Sequence, residues 1–407
     1  MLVNMSSSRD KCFKEEEIVR KIRIDYWEKW GGEEWEAMAN IVRSFNESQE
    51  TYEVVMTPAG DWSSSPDLPL FLNALKKGTP PDIIGLEDHQ VADLAVQGAL
   101  LSLSKFIEAA RFSQTNYHDD FLSLCMHNGG FYGVPISADI VTLYVNLASV
   151  QGTRFEGGMP VELSEFDIGL EEIRERGKIG FVPTYPGWWP HVWTWFFGGS
   201  WFDEVEQFAP HQPVNIRAYE WVSSFQRRWN LEAFSNPINP IGAVDPDPFL
   251  TGEVAMVFEG DWLVRRLLHV PNLKWVPAAF PTVGKKPAAF IVADILSIPK
   301  GARHPEGAAE FIGYAMQSEQ IERLAIGQGK VSPLKYWSDE YLSNHLNPHL
   351  RILQEILSSS QLFHDPRIPG WMGYLDRIKQ AFANIWSNKQ APAQALIAIK
   401  ETLTPKT

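Results

Sequence analysis

The sequence predicts an α/β protein of two lobes, each with a mostly parallel sheet flanked by helices. Two observations support this prediction. Strand and helix patterns alternate from residue 22 to residue 98, which is typical of parallel strands joined by right-handed crossovers. A similar alternation recurs from residue 171 to residue 267, and a chain of 407 residues is too long for one simple core.

Period-two and apolar runs predict the strands, and apolar residues three and four positions apart predict the helices. The predicted strands lie at 22–26, 52–56, 82–85, 142–146, 179–182 and 254–258. The predicted helices lie near 35–45, 71–77, 91–97, 171–176, 218–229, 263–267, 308–315, 321–326, 353–357 and 375–385. The chain is expected to cross between the lobes at 136–140 and to return around 290–298.

Composition excludes several classes of function. The net charge of -14 argues against a nucleic-acid or anionic-membrane surface, and no apolar run is long enough to span a bilayer. Cys12 and Cys125 are far apart and are predicted to be free. The first 20 residues are predicted to be a disordered lead, and they show no signal-peptide pattern.

The stretch Phe249–Trp262 is the segment around which the predicted fold and site are arranged. Its apolar run suits a strand covered on both faces, and Asp261 is expected to cap the following helix. Glu259, Asp261 and Trp262 would then lie at the carboxyl edge of a sheet, where ligands bind in open α/β folds. The alternative is an ordinary strand-to-helix turn in which Trp262 is part of the core.

Catalytic and metal motifs are absent from the sequence. The segment 327–330 lacks the first half of a P-loop, and Pro348 separates His345 from His349, which disfavours a helical metal site. No metal or cofactor is therefore expected. Glu259 and Asp261, opposed by Asp139 or Glu87, could still form the carboxylate pair of a glycosidase, and this alternative stays open.

Tryptophan content points to a carbohydrate site. There are 16 tryptophans, many of them in the loop 185–201. Flat aromatic rings beside acids suit the apolar faces and the hydroxyls of sugars. Trp188 and Trp189, between a glycine and a proline, are predicted to be the exposed pair. Trp193, Phe196 and Phe197 have the spacing of core residues on a helix.

Several blocks give the chain a resemblance to a known family, the extracellular sugar-binding proteins of ABC transporters, which include the maltodextrin-binding proteins. These blocks are Tyr26-Trp27, Phe45-Asn46, 77–84, 98–103, Tyr132–Pro135 with Tyr144 and Asn146, 249–256 with Gly260 and Trp262, 298–300, 305–312 and Pro333. Their order and spacing extend over about residues 21–400.

The resemblance implies a two-lobed periplasmic-binding-protein fold of type II that closes on a ligand by hinge motion, without catalysis. The implied first lobe comprises residues 21–137 and 293–336, and the second comprises 138–292 and 337–407. The implied ligand-binding residues are Trp27, Glu28, Trp30, Glu87, Asp88, Asp139, Trp188, Trp189, Glu259, Asp261, Trp262 and Trp371.

The resemblance also implies the partners. A monomer would bind a sugar or oligosaccharide and deliver it to ABC transporter permease subunits, without nucleic acid. Its expected location is periplasmic or extracellular, with a membrane anchor as an alternative. Two rivals stay open, which are a tryptophan-rich glycoside hydrolase and a protein of the same fold that binds a non-sugar ligand such as a polyamine.

Overall fold

The computed structural model describes residues 20–59, 67–108, 116–187, 189–229, 231 and 247–401. Its strands are β1 (Ile22–Glu28), β2 (Tyr52–Pro58), β3 (Ile83–Glu87), β4 (Met126–His127), β5 (Gly130–Phe131), β6 (Val134–Asn146), β7 (Ile179–Phe181), β8 (Val254–Gly260), β9 (Trp275–Ala278), β10 (Ala288–Ser297) and β11 (Gln361–Phe363).

The helices alternate with these strands. In the first half of the chain they are α1 (Gly32–Ser48), α2 (Leu68–Lys76), α3 (Asp88–Val96), α4 (Ser104–Glu108), α5 (Asp119–Ser123), α6 (Leu147–Val150), α7 (Leu163–Arg174) and α8 (Val192–Phe196). In the second half they are α9 (Pro213–Trp229), α10 (Leu263–Leu268), α11 (Pro305–Ala315), α12 (Ser318–Gln328), α13 (Asp339–Asn344), α14 (Leu350–Ser359), α15 (Trp371–Trp386) and α16 (Pro392–Glu401). A 3₁₀ turn covers Arg154–Gly157.

Nine strands form one mixed sheet in the order β2-β1-β3-β10-β6-β8-β7, with β11 beside β10 and β9 beside β6. The pairs β1–β2, β1–β3 and β7–β8 are parallel, as crossover connections require. The long strands β6 and β10 run antiparallel to each other and to their neighbours β8 and β3. A separate hairpin contains β4 and β5.

Strand β6 connects the two halves of the sheet. All 13 of its residues are buried, and it pairs with β10 through residues 134–140 and with β8 through residues 141–145. The sequence predicts a crossing at 136–140 followed by a separate strand, and this division is wrong. Hydrogen-bonded partners continue along β6 on one edge or the other, so the crossing is itself part of the strand.

Buried apolar side chains form two clusters, one on each side of this crossing. The first takes side chains from β1, β3, α1, α11 and α12, and the second from β7, β8, α9 and α15. Within β6, Ile140 belongs to the first cluster and Val141 to the second. Helix α14 places Leu350 and Leu353 in the first cluster, although the sequence analysis assigns it to the second lobe. The division into lobes stays a prediction.

The aromatic loop of the sequence analysis contains a short helix, α8. Trp193 and Phe196 lie on it and are buried in the second cluster, as their spacing predicts. Phe280 packs against both rings at centroid distances of 5.5 and 4.8 Å. Of the four described tryptophans in the loop 185–201, Trp193 and Trp201 are buried, whereas Trp189 and Trp195 are half-buried.

Candidate ligand-binding cleft

One face of β10 connects two contrasting groups of side chains. Phe290, Val292 and Asp294 alternate along the strand and therefore share a face. Phe290 packs among aromatic rings and Asp294 among charged groups, about 13 Å away by the rise of a strand. Val292, between them, is the position in β10 that is only half-buried. It pairs with Asp139 of β6, so this carboxylate lies on the same face.

The charged end of this face is centred on Asp294. The Nζ atoms of Lys29 and Lys330 lie 2.6 and 2.8 Å from its oxygens, and Ser137 Oγ donates to it at 2.6 Å. Burial alone would raise the pKa of Asp294, but the two ammonium groups outweigh burial and lower it. Lys330 also contacts Asp139 at 3.3 Å. Burial opposes charge on Lys330, yet Asp139 and Asp294 raise its pKa, so it remains a cation in the interior.

Asp261, directly after β8, reaches this charged end. Its side chain shares a hydrogen bond with Asp139, and burial followed by the Asp139 charge raises its pKa. Its Oδ1 accepts from Ile140 N at 3.3 Å and its Oδ2 from Val331 N at 2.9 Å. The prediction that Asp261 caps α10 is wrong. Trp262 occupies that position, because the carboxyl group is already bound to β6 and residue 331.

Trp30 covers the two lysines. The ammonium groups of Lys29 and Lys330 lie 3.9 and 4.0 Å from its ring centroid, a cation–π arrangement. Its buried Nε1 has no hydrogen-bond partner among the described residues. The same holds for Oε2 of Glu34, 3.9 Å from Lys330, and burial raises the pKa of Glu34 to about 7. The indole N–H of Trp30 and this oxygen of Glu34 can therefore bond a ligand at this end.

The aromatic end brings Trp189, Trp262 and His191 around Phe290. Ring centroids lie 4.9 Å apart for Trp189 and Phe290, 6.2 Å for Trp189 and Trp262, and 5.5 Å for His191 and Phe290. Trp189 and Trp262 are half-buried, so part of each ring faces solvent. Within the described ranges, the buried Nε1 of Trp189 meets no acceptor. These two indoles are therefore accessible to a ligand at this end.

Glu259 and Gly260 determine how the ring of Trp262 lies. The indole Nε1 donates to Glu259, and a Cβ at position 260 would stand 2.2 Å from the ring, so this position has space only for glycine. Glu259 is fully buried and faces Asp247 and Arg266, and burial raises its pKa to about 8. Its second oxygen has no donor in the part of the chain that the structure describes. Glu259 therefore holds Trp262 while it is largely protonated at neutral pH.

Two predicted residues of β1 are engaged elsewhere. Glu28 accepts hydrogen bonds from the Tyr26 hydroxyl and from the backbone N–H groups of Lys29 and Trp30, the latter two at 2.6 and 3.1 Å. Its carboxylate thus fixes the turn that presents Lys29 and Trp30. Trp27 is half-buried against the first core cluster, on the opposite face of β1 from Glu28.

The acids after β3 lie beside the charged end. Glu87 forms a capping box with Gln90 at the start of α3, and it also contacts His89 at 3.3 Å and Lys29 at 4.0 Å. Asp88 is buried, and burial followed by the nearby charges of Asp365 and Glu87 raises its pKa. Both acids therefore lie near Lys29, and both have partners in the protein. Their predicted role in ligand binding stays a prediction.

Trp371 lies in the second core cluster rather than on a surface. It is fully buried, and its ring contacts those of His191 and Phe202 at 5.9 and 6.4 Å. His191 in turn lies 3.0 Å from Asp365. The predicted role of Trp371 as a ligand-stacking residue stays a prediction, and Trp188 lies outside the described residues.

Four residues of this cleft were not predicted from the sequence: Lys29, Lys330, Asp294 and His191. A signal existed for two of them. Asp294 is the single charge in the apolar run 288–298, and Lys29 lies between two predicted site residues. A charge in such a run is costly unless it is paired, so it indicates a partner. Lys330 and His191 reach the cleft only through the path of the folded chain.

Other features limit the kinds of site. Across the described ranges, no group of three or more His, Cys, Asp or Glu side chains is arranged to hold a metal ion. No described helix combines the length and apolar character that crossing a bilayer would need.

A cavity of about 680 Å³ lies between β9, α14 and the 3₁₀ turn. It is lined by none of the charged or aromatic groups above, so we do not assign the ligand to it.

The fold and the cleft define a two-lobed solute-binding protein. A family model described as bacterial extracellular solute-binding protein matches residues 26–322, which is more than half of the chain. The chain therefore belongs to this family of binding proteins, and the resemblance read from the sequence is confirmed. The family is extracellular. Comparison with curated proteins finds no match.

Solved structures of similar fold support the architecture. The sugar-binding protein MalE from Xanthomonas citri matches with a TM-score of 0.80 and 16% identity, over 94% of this chain and 96% of MalE. The cyclic α-maltosyl-1,6-maltose binding protein from Arthrobacter globiformis matches with 0.76 and 18%, over 94% and 98%. CpMnBP1 with mannotriose bound matches with 0.75 and 20%, over 94% and 99%. The predicted two-lobed binding-protein fold is thus confirmed.

Proposed function

We propose that this protein binds a sugar or oligosaccharide in the cleft above β10 and delivers it, chemically unchanged, to the permease subunits of an ABC importer. One observation carries the proposal. Two half-buried indoles, Trp189 and Trp262, stand at one end of the β10 face, and unpaired polar groups lie at both ends. Aromatic faces with a few convergent hydrogen-bonding groups suit a sugar.

The unpaired groups match what sugar hydroxyls supply. The N–H groups of Trp30 and Trp189 need acceptors, and Glu34 needs a donor. A hydroxyl is both a donor and an acceptor, so one oligosaccharide along β10 could satisfy all three. Buried polar groups without partners cost free energy, and a ligand that supplies the missing bonds recovers it. MalE and CpMnBP1, which share the fold, are sugar-binding by description.

The glycosidase alternative has less support. A carboxylate pair flanking a glycosidic bond stands about 5 to 9.5 Å apart in such enzymes. Asp139 and Asp261 instead share a hydrogen bond, which leaves no room for a sugar ring between them. Glu259 is bound to Trp262 and faces Asp247 and Arg266. We therefore propose that the protein does not hydrolyse its sugar ligand.

The proposal places the protein outside the cytoplasmic membrane, in the periplasm or at the cell surface, as a monomer. Ligand binding would close the two lobes about β6 and β10. The bridged, closed state would be the form that the permease recognises. A ligand that contacts both lobes shifts the population towards that state in proportion to its preference for it.

Thermal unfolding against a ligand panel tests the proposal. The panel contains mannotriose, maltose, maltotriose and acarbose, with spermidine and inorganic phosphate as controls. A ligand present at 100 times its dissociation constant stabilises the folded protein by about 2.7 kcal/mol, a shift of several degrees in Tm. We expect such a shift with one sugar class and recovery of that sugar intact. A shift with spermidine alone, or a sugar consumed during the assay, would overturn the proposal.

A further inference from the structure

Arg265 makes an unusual set of contacts. It lies on α10 and donates from Nη2 to the carbonyl of Gly327 at 2.7 Å and from Nε to that of Gln328 at 3.3 Å. Its Nη1 donates to Glu33 in the first turn of α1. One guanidinium thus joins the end of α12 and the start of α1.

These contacts connect the two core clusters. Leu263, Val264 and Leu267 anchor α10 in the second cluster, whereas the buried side chains of α1 and α12 belong to the first. The carbonyl groups at the end of a helix carry partial negative charge, so a cation is stabilised there. Arginine suits this position because its planar fork can donate to several acceptors at once, which a lysine cannot reproduce.

Gly329 allows this arrangement. It ends α12 in the left-handed conformation with φ of 72°, and a Cβ at this position would lie 3.1 Å from Nε of Arg265. The next two residues reach the cleft. Lys330 contacts Asp139 and Asp294, and Val331 N donates to Asp261. The segment 327–331 therefore links Arg265 directly to the charged end of β10.

We propose that Arg265 is a closure latch, a residue that raises ligand affinity by stabilising the closed arrangement of the lobes without touching the ligand. The inference rests on the proposed function only for its effect on affinity. Arg265 forms one wall of an open groove of about 730 Å³, together with Trp35, Glu36 and Leu346. The latch therefore lies at the protein surface, in a groove that none of the cleft residues described above lines.

The apparent affinity of a two-state binding protein scales with the population of its competent state. Loss of the latch lowers the closed population and so raises the dissociation constant. The side chain of Arg265 is 31% exposed, so water and salt weaken its contacts. We expect Arg265→Ala to weaken binding of the best sugar of the panel by roughly three- to ten-fold.

Arg154 provides a matched control. Its side chain is 30% exposed and pairs with Glu165 and Glu172, but all three residues lie within the second lobe. Arg154→Ala should lower Tm as Arg265→Ala does and leave the dissociation constant unchanged. Arg265→Lys keeps the positive charge but loses the planar guanidinium group. The affinity of this variant for the sugar should therefore lie between those of Arg265→Ala and the parent protein.

Small-angle scattering of the unliganded proteins gives a second measurement that needs no sugar. We expect a larger radius of gyration for Arg265→Ala than for the parent and Arg154→Ala. If no sugar of the panel binds, the radius of gyration alone tests whether Arg265 is a latch. Failure of the latch is therefore distinguishable from failure of the proposed function. A radius and an affinity for Arg265→Ala that both equal those of Arg154→Ala would overturn the latch.

Discussion

The two ends of the β10 face differ in how far their side chains are paired within the protein. At the charged end, Asp294 and Asp139 hold Lys29 and Lys330 by close contacts. At the aromatic end, Trp189 and Trp262 keep part of their rings in solvent. The charged groups at one end are therefore largely paired within the protein, whereas the other end presents two partly exposed indoles.

The difference indicates that one end of the cleft mainly determines its geometry and that the other mainly contributes to ligand binding. Buried ion pairs contribute little net stability, yet removal of one partner is strongly destabilising, so such pairs specify a geometry. Here that geometry brings β1, β6, β10 and residue 330 together. Aromatic faces tolerate replacement better but carry contact area for binding. We expect changes at the charged end to affect folding first, and changes at the aromatic end to affect ligand affinity first.

The largest effect should come from Asp294→Asn. The substitution leaves Lys29 and Lys330 buried without their shared counter-charge, which we expect to cost about 3–5 kcal/mol in the free energy of unfolding. Urea denaturation followed by tryptophan fluorescence measures it. Asp25→Asn is the control, because Asp25 pairs with Arg23 on the exposed part of β1. A loss for Asp294→Asn no greater than that for Asp25→Asn would refute the proposed role of the charged end.

The second-largest effect should be on the pH dependence of stability, through Glu259 at the aromatic end. Burial raises the pKa of Glu259 from an ordinary 4.5 to about 8. A raised carboxyl pKa stabilises the folded state fully below pH 4.5, and this contribution is lost as the pH rises towards 8. Glu259→Gln keeps an acceptor for the Trp262 N–H but cannot ionise. Between pH 5 and pH 8 we expect this variant to lose about 3–4 kcal/mol less stability than the parent.

Glu253→Gln is the control for this measurement, because Glu253 precedes the same strand but is exposed. Its pH curve should run parallel to that of the parent. The slope should not vanish in Glu259→Gln, since burial also raises the pKa of Glu34 and Asp261. A curve for Glu259→Gln that is parallel to the parent curve would show that Glu259 ionises as an ordinary surface acid.

Sequence patterns predicted the alternation of strands and helices, because the apolar periodicity that buries a face also determines the element. The pairing of Asp294 with Lys29 and Lys330 could not be predicted, since the residues are up to 301 positions apart and meet only through the sheet order. Glu28 shows a second limit of the sequence. The resemblance implies a ligand contact for Glu28, and this stays a prediction, but no pattern indicated that its carboxylate would accept hydrogen bonds from the N–H groups of Lys29 and Trp30.

The smallest free-energy change but the clearest test of the comparison is Trp262→Ala. Trp262 is half-buried, so the fold should tolerate its loss, while the sugar would lose one face of its stacking platform. We expect affinity for the best sugar of the panel to fall by roughly ten- to 100-fold, or about 1.4–2.8 kcal/mol. Titration calorimetry measures this, and Tm should change little.

Trp229→Ala is the matched control for that variant. Trp229 ends α9, stacks on Phe225 at 4.7 Å and is also half-buried, but it lies outside the β10 face. It should therefore leave affinity unchanged. If Trp262→Ala binds the sugar as well as Trp229→Ala does, the aromatic end is a core feature like Trp371. We would then expect the ligand to lie against Trp30 and Glu34, whose unpaired N–H group and oxygen are among those found in the described residues.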